Sequence, residues 1–137
     1  TMNNYIATGR VANEPVFGKT QNQKPKLTFT FIAKSRIKEG DEYLTFAVPV
    51  IIYGKPAETL YDTLSKGSPL TLSGDLGTRI YADENGEKRY YTFLQVDKYD
   101  YGESLEMALS RKNRNQKAED QTQDYPPVGR DMDELND

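Results

Sequence analysis

The 137-residue sequence contains no cysteine, no histidine and no tryptophan. Without cysteine and histidine the chain has no disulfide, no thiol nucleophile and no Cys/His zinc site. The lack of histidine also excludes a Ser-His-Asp triad. Only carboxylate or lysine chemistry remains for an enzyme, and no motif supports it, so we expect a non-enzymatic protein that needs neither a cofactor nor a metal.

Long apolar runs and a strong net charge are also missing. No run approaches the roughly 18 apolar residues of a membrane span, and no signal peptide is visible, so we predict a cytoplasmic protein without a membrane partner. Residues 1–104 are neutral, with 13 Lys/Arg and 13 Asp/Glu, whereas residues 105–137 carry five basic and eight acidic residues. Four of the five basic residues of this second segment lie in 111–117, and seven acids with Arg130 follow in 119–137.

Alternating apolar residues predict five strands, which fall within residues 4–11, 27–34, 43–53, 70–81 and 89–101. One short helix is predicted at 55–66, because Pro56 suits a first turn and Gly67 suits the position after a last turn. Gly9, Gly74 and Gly77 interrupt strands and predict bends. A single helix between the third and fourth strands of an all-β chain indicates a five-stranded OB-fold barrel.

The composition changes after Gly102. The segment Leu105–Leu109 predicts one or two helical turns, and from Ser110 onward the chain has almost nothing to bury. Such a segment cannot offset the entropy lost on ordering. We therefore predict an OB-fold nucleic-acid-binding domain at 2–104 and a flexible, disordered C-terminal tail at 105–137, basic and then acidic.

Five short motifs follow one another within residues 2–101. They are Gly9-Arg10 followed by Glu14-Pro15, Tyr53-Gly54-Lys55-Pro56-Ala57-Glu58, Leu64-Ser65-Lys66-Gly67-Ser68, the segment from Ser73 to Tyr81, and the segment from Asn85 to Tyr91. In this order and at this spacing they resemble the bacterial single-stranded DNA-binding protein family. The resemblance implies an OB fold that coats single-stranded DNA and assembles as a homo-oligomer, a dimer or a tetramer.

Sequence-tolerant binding of single strands requires aromatic platforms for the bases and cations for the phosphates. The chain has ten Tyr and five Phe, and all but Tyr125 lie in residues 1–104. The resemblance implies stacking for Tyr53, before Gly-Lys, and for Tyr81, after Thr-Arg; we add Tyr91 and Tyr43. The predicted phosphate contacts are Arg10, Lys34, Arg36, Lys38, Lys55, Arg79, Lys88 and Arg89. The aromatics expected in the core are Phe29, Phe31, Phe46 and Tyr61.

The chain departs from the family pattern in two ways. Ala47 stands where the family often has a stacking tryptophan, and the second tryptophan position falls near Ile37. The family's acidic tail closes with Pro-Phe, whereas this chain ends Leu135-Asn136-Asp137, so docking of replication or transfer proteins on the tail stays open. The divergence suggests a plasmid-, transposon- or phage-encoded member that acts in DNA replication or conjugative transfer.

Two alternatives remain open at this point. The first is a nucleic-acid binder that discriminates little between single-stranded DNA, duplex DNA and RNA. The second is a protein-interaction adaptor of a DNA-processing complex.

Overall fold

The computed structural model describes residues 1–117, which form six strands and two helices. The elements are β1 (Tyr5–Val11), β2 (Val16–Lys19), β3 (Pro25–Glu39), β4 (Glu42–Tyr53), α1 (Lys55–Thr63), β5 (Pro69–Ala82), β6 (Lys88–Tyr101) and α2 (Leu105–Lys117). The five predicted strands and the predicted helix are all present. β2 was not predicted, because four residues after a proline are too few to show an alternating pattern.

The five long strands close into a barrel. The sheet order is β1-β5-β6-β4-β3-β2, and β1 pairs with β3 in addition to β5. This extra pairing, at Arg10 and Val11, joins the first and last of the five long strands in the sheet order. All neighbours are antiparallel except β4 and β6, which are parallel. The predicted five-stranded barrel is confirmed, and its helix α1 lies between the third and fourth long strands, β4 and β5.

Two glycines mark the places where the barrel backbones approach most closely. A Cβ atom on Gly9 would lie 2.0 Å from the Ile32 carbonyl oxygen, and one on Gly74 would lie 2.0 Å from the Gln95 carbonyl oxygen. The β5–β6 register also shifts between Ser73 and Gly74. The irregularity at Gly74 agrees with the predicted bend, and at both glycines only a hydrogen atom fits.

The barrel interior is filled by alternate side chains of the long strands. The buried strand residues include Leu27, Phe29, Phe31, Val48, Val50, Ile52, Leu70, Leu72 and Leu94. Ala57 and Leu60 of α1, and Leu64 just after it, pack against them. Two expected core aromatics lie elsewhere. Phe46 is 45% exposed and contacts the Tyr5 ring, since it extends past the closed part of the barrel. Tyr61 is half-exposed and stacks on Phe17 of β2, because it lies beside the buried face of α1.

Helix α2 is longer than predicted. Residues 110–117, which we expected to be mobile, form its second half. Polar contacts hold it against the barrel: Arg111 pairs with Glu103 at 2.5 Å, and the Asn115 side-chain amide donates to the Lys66 carbonyl oxygen at 2.9 Å. A packed face of this kind leaves no apolar pattern in the sequence. The remainder of the predicted tail lies outside the described residues.

Within residues 1–117, neither helix is long and apolar enough to cross a membrane.

Candidate nucleic-acid interface

An aromatic surface lies on the outside of the barrel where β4 and β6 meet. Because Val50, Ile52 and Leu94 point into the core, their neighbours point outward. Ile51 and Phe93 form a second apolar cluster there, and Tyr53 and Tyr91 pack against it. We call the group formed by Ile51, Tyr53, Tyr91 and Phe93 the aromatic face; Ile51 and Phe93 are buried in it, and the half-buried Tyr53 and Tyr91 are its accessible rings.

Strand β5 extends this face with a cation. Arg79 lies opposite Tyr91, and Gly77 lies opposite Phe93, so these pairs share one side of the sheet. The absent side chain of Gly77 leaves room for the Phe93 ring, which lies 3.1 Å from the position of a Cβ. The Arg79 guanidinium carbon lies 5.4 Å from the centre of the Phe93 ring. The predicted residues Tyr53, Tyr91 and Arg79 are thus brought together on one face.

The β5–β6 hairpin continues the same side outward to Tyr81, which is 41% exposed and lies opposite Arg89. The predicted phosphate contact Arg89 is engaged within the hairpin. Its Nε donates to Asp83 Oδ2 at 2.8 Å, and Glu87 lies 3.7 Å from the guanidinium. This hydrogen bond, together with bonds from the Glu87 and Asn85 amides, lowers the pKa of Asp83. Lys88 alternates with Arg89 and lies on the opposite side of the hairpin.

A second group of predicted residues lies at the β3–β4 hairpin. The ammonium group of Lys38 lies 5.1 Å from the centre of the exposed Tyr43 ring. Lys34 pairs with Thr45, and Arg36 lies in the segment where the β3–β4 register shifts. Alternation along β4 places Tyr43 on the side of Tyr53, ten residues or about 33 Å along the strand at roughly 3.3 Å per residue.

Ala47 lies between these two groups on the same side of β4, opposite Ile32, and it is exposed. The outer surface of β4 therefore has an aromatic residue at each end and none in the middle. This is the position at which the family pattern places a tryptophan.

The comparisons with known proteins agree with this geometry. A family model described as the single-strand binding protein family matches residues 2–101. The chain belongs to the single-strand binding protein family. This membership confirms the resemblance drawn from the sequence motifs, and, since the family is one of binding proteins, it confirms that the chain is not an enzyme.

Individual relatives in the single-strand binding protein family match most of the chain. The protein named Single-stranded DNA-binding protein 1 of Streptococcus pyogenes is 33% identical over 113 residues, which are 81% of this chain and 85% of the relative. Single-stranded DNA-binding protein 3 of Clostridium acetobutylicum is 31% identical over 122 residues, or 88% and 81%. A crystal structure of a small single-stranded DNA-binding protein from Streptomyces coelicolor matches with a TM-score of 0.58 at 23% identity, covering 72% of this chain and 92% of that one. This last likeness shows the shared fold.

Two further predicted cations of this family member make contacts with other protein groups. Arg10 donates from Nη1 to the Gly67 carbonyl oxygen at 2.8 Å and so ties β1 to the loop that follows α1. Lys55 begins α1, two residues after Tyr53, and its ammonium group lies 3.9 Å from Glu58. Lys55 is therefore next to the aromatic face, whereas Arg10 has a contact that stabilises the fold.

Two residues of this site were not predicted from the sequence: Phe93 in the aromatic face and Lys24 beside it. Phe93 could have been found, because it follows Tyr91 at the spacing of an alternating strand. Lys24, whose ammonium group lies 5.3 Å from the centre of the Tyr53 ring, could not. Its position depends on the β2–β3 turn, and β2 has no signal in the sequence.

Proposed function

We propose that this protein binds and coats single-stranded DNA, with the bases stacked on the aromatic face and the phosphates held by the lysines and arginines around it. The observation that carries the proposal is the combination of Tyr53, Tyr91, Phe93 and Arg79 on one side of the barrel of a single-strand binding protein family member. Stacking tolerates every sequence because every base has a flat face.

The proposed path of the strand runs from the β5–β6 hairpin across the aromatic face to the start of α1. Tyr81 supplies a platform at one end, and Tyr53 with Lys55 supplies a platform and a cation at the other. A strand that continues along β4 reaches Tyr43 and the cations Lys34, Arg36 and Lys38. For Arg89 to contact a phosphate, its pair with Asp83 must open, so we expect it to contribute little to phosphate binding.

The biological setting is part of the same proposal. We infer a cytoplasmic protein that acts in DNA replication or conjugative transfer, encoded on a plasmid, transposon or phage, and works as a homo-oligomer. The divergence at Ala47 supports a specialised role. Contacts with replication or transfer proteins through the acidic residues of 119–137 belong to a segment outside the described residues.

The test is fluorescence anisotropy with labelled oligo-dT and with a matched duplex, at about 50 and 200 mM salt, the range over which phosphate contacts become visible. We expect oligo-dT to bind much more tightly than the duplex. Replacing Tyr81 by alanine should weaken oligo-dT binding by about 1–3 kcal/mol. The matched control is Tyr90→Ala, since Tyr90 is 66% exposed and points to the opposite side of the hairpin. Equal losses in the two variants would reject stacking on this face.

A second candidate function follows from Ala47. With no ring in the middle of β4, phosphate contacts carry more of the binding, and phosphates are common to single strands, duplexes and RNA. Equal and steeply salt-sensitive binding of oligo-dT and duplex would favour this weakly discriminating binder. Absence of binding to both would favour the protein-interaction adaptor.

A further inference from the structure

Lys24 is held beside Tyr53 by the backbone of the β2–β3 turn. The Thr20 amide donates to the Lys24 carbonyl oxygen at 2.9 Å, and the Lys24 amide donates to Thr20 Oγ1 at 3.1 Å. Gln23 has a φ of 65°, which reverses the chain at this turn. The Gly54 amide donates to the Pro25 carbonyl oxygen at 2.9 Å, and this bond fixes the turn next to the end of β4.

The side chain of Lys24 is exposed, although its backbone is fixed. Its ammonium group lies 5.3 Å from the centre of the Tyr53 ring, within the range of a cation–π contact. Such a contact at an exposed site is weaker than the stacking of a base on a ring. A base that approaches Tyr53 can therefore displace the ammonium group, which has a flexible four-carbon stem on a fixed anchor.

We propose that Lys24 and Tyr53 form one nucleotide-binding unit, in which the ammonium group leaves the ring and binds the phosphate of the nucleotide whose base stacks on it. The inference rests on the proposed function and adds a residue that the family motifs do not include. A lysine suits this role because it binds phosphate as a point charge from a range of positions. In the free protein the same ammonium group covers part of the tyrosine ring.

The lack of tryptophan in the chain provides the reporter for the test. Tyr53→Trp creates a protein with a single tryptophan at the proposed platform, and its fluorescence is quenched when a base of oligo-dT stacks on it. In this background Lys24→Met removes the charge and keeps an apolar stem. Lys24→Arg keeps the charge. Lys98→Met is the control, since Lys98 is exposed on β6 five residues beyond Phe93 and pairs with Ser73.

We expect Lys24→Met to leave the quenching at saturation unchanged and to weaken oligo-dT binding. The slope of log K against log salt should fall in magnitude by about 0.7, the value for one phosphate contact to a single strand. The loss of affinity should accordingly be about two- to threefold larger at about 50 mM than at about 200 mM salt. Lys24→Arg and Lys98→Met should keep the original slope.

A Lys24→Met slope equal to that of Lys98→Met, with the introduced tryptophan still quenched, would overturn the inference and leave the proposed function standing. If the protein with Lys24 intact neither binds oligo-dT nor shows quenching, the proposed function fails and the inference fails with it. Circular dichroism of each variant confirms that the changes at these exposed lysines leave the fold intact.

Discussion

At the scale of single residues, the glycines at the barrel bends and the small residue on its outer surface have opposite effects. Gly74 has a backbone carbonyl 2.0 Å from the position of its missing Cβ, so the barrel depends on the absence of a side chain there. Ala47 is exposed on β4 and carries no ring, so the proposed interface has no stacking platform at this position. Each effect can be tested by a substitution that enlarges the side chain.

Gly74→Ala should destabilise the protein by about 3 kcal/mol, because the methyl group forces β5 and β6 apart where their backbones touch. Urea denaturation followed by circular dichroism measures the loss. Gly18→Ala in β2 is the control, since a Cβ there meets no atom within 4 Å. Similar midpoints for the two variants would show that the barrel bend relaxes easily.

Ala47→Trp should strengthen oligo-dT binding by about 1–3 kcal/mol, because it adds a stacking platform between Tyr53 and Tyr43. It should also widen the difference in affinity between oligo-dT and duplex. Titration by fluorescence anisotropy measures both effects. Glu106→Trp, on the exposed side of α2, should change neither, and an equal gain from the two substitutions would contradict a role for this part of β4.

The positions of the motif residues in the proposed interface could be predicted from the sequence. The contacts of its other cations could be predicted only in part. Tyr53, Tyr81 and Arg79 stand in short motifs within one or two strands, so their placement follows from alternation. The ion pair of Arg89 with Asp83 and the position of Lys24 over Tyr53 depend on how turns fold back on strands. Local patterns contain no information on such contacts.

At the scale of elements, the β5–β6 hairpin and α2 are both held by charged side chains. In the hairpin tip, Asp83 Oδ1 accepts from the Asn85 and Glu87 amides, while Oδ2 accepts from Arg89. In α2, the side chains of Arg111 and Glu103 are only 16% and 4% exposed. The Arg89–Asp83 pair is more exposed than the Arg111–Glu103 pair and should contribute less to the free energy of unfolding.

The hairpin tip should loosen in acid. Because the pKa of Asp83 is lowered in the folded protein, its contribution to stability is present above the ordinary carboxyl pKa of about 3.9 and is lost as the pH falls through the lowered value. An NMR titration of the Asp83 carboxyl carbon measures this pKa. Arg89→Met should raise it toward the ordinary value, whereas Lys88→Met on the other side of the hairpin should not. An unchanged pKa in Arg89→Met would show that the ion pair does not form in solution.

Arg111→Met should destabilise the protein by about 3 kcal/mol, because it leaves the buried Glu103 carboxylate without its partner. Adding Glu103→Gln to this variant should restore part of the loss. Lys117→Met, at the end of α2, should change the unfolding free energy by less than about 0.5 kcal/mol. Thermal unfolding compares the variants, and a loss at Arg111 as small as that at Lys117 would mean that α2 detaches without cost to the barrel.

Long elements were predictable, and those that depend on a neighbour were not. β1, β3, β4, β5 and β6 each alternate over enough residues to be recognised. β2 is a strand because Val16 and Phe17 pair with Thr28 and Leu27. α2 extends to Lys117 because polar side chains reach the barrel, and hydrophobic patterns do not report such contacts.

At the scale of the whole molecule, the barrel has an open edge within the described residues. From Tyr5 to Thr8, β1 pairs with β5 on one side, while its pairing with β3 is confined to Arg10 and Val11. Edge amides and carbonyls without a neighbouring strand favour pairing with another chain. Ile6, on this strand, is 63% exposed. This edge supports the expectation of a homo-oligomer.

Sedimentation equilibrium should give a mass of two or four times the 15.6 kDa of the chain. Ile6→Lys should shift it toward the single chain, because a charged side chain disfavours pairing at an edge. Ile80→Lys, at a comparably exposed isoleucine of the β5–β6 hairpin, is the control and should keep the original mass. A wild-type mass of 15.6 kDa would contradict assembly through β1.

The hairpin tip also bears on how the protein ages. Asn85 is followed by Gly86, and an asparagine before a glycine deamidates readily because no side chain hinders attack of the glycine nitrogen on the asparagine amide. That nitrogen is engaged here in a hydrogen bond of 3.0 Å to the Asp83 carbonyl oxygen. The intact turn therefore slows the deamidation of Asn85. Stored protein should acquire a new negative charge at this position faster once the turn is loosened. The rate of deamidation at Asn85 therefore reports whether the hairpin turn is formed.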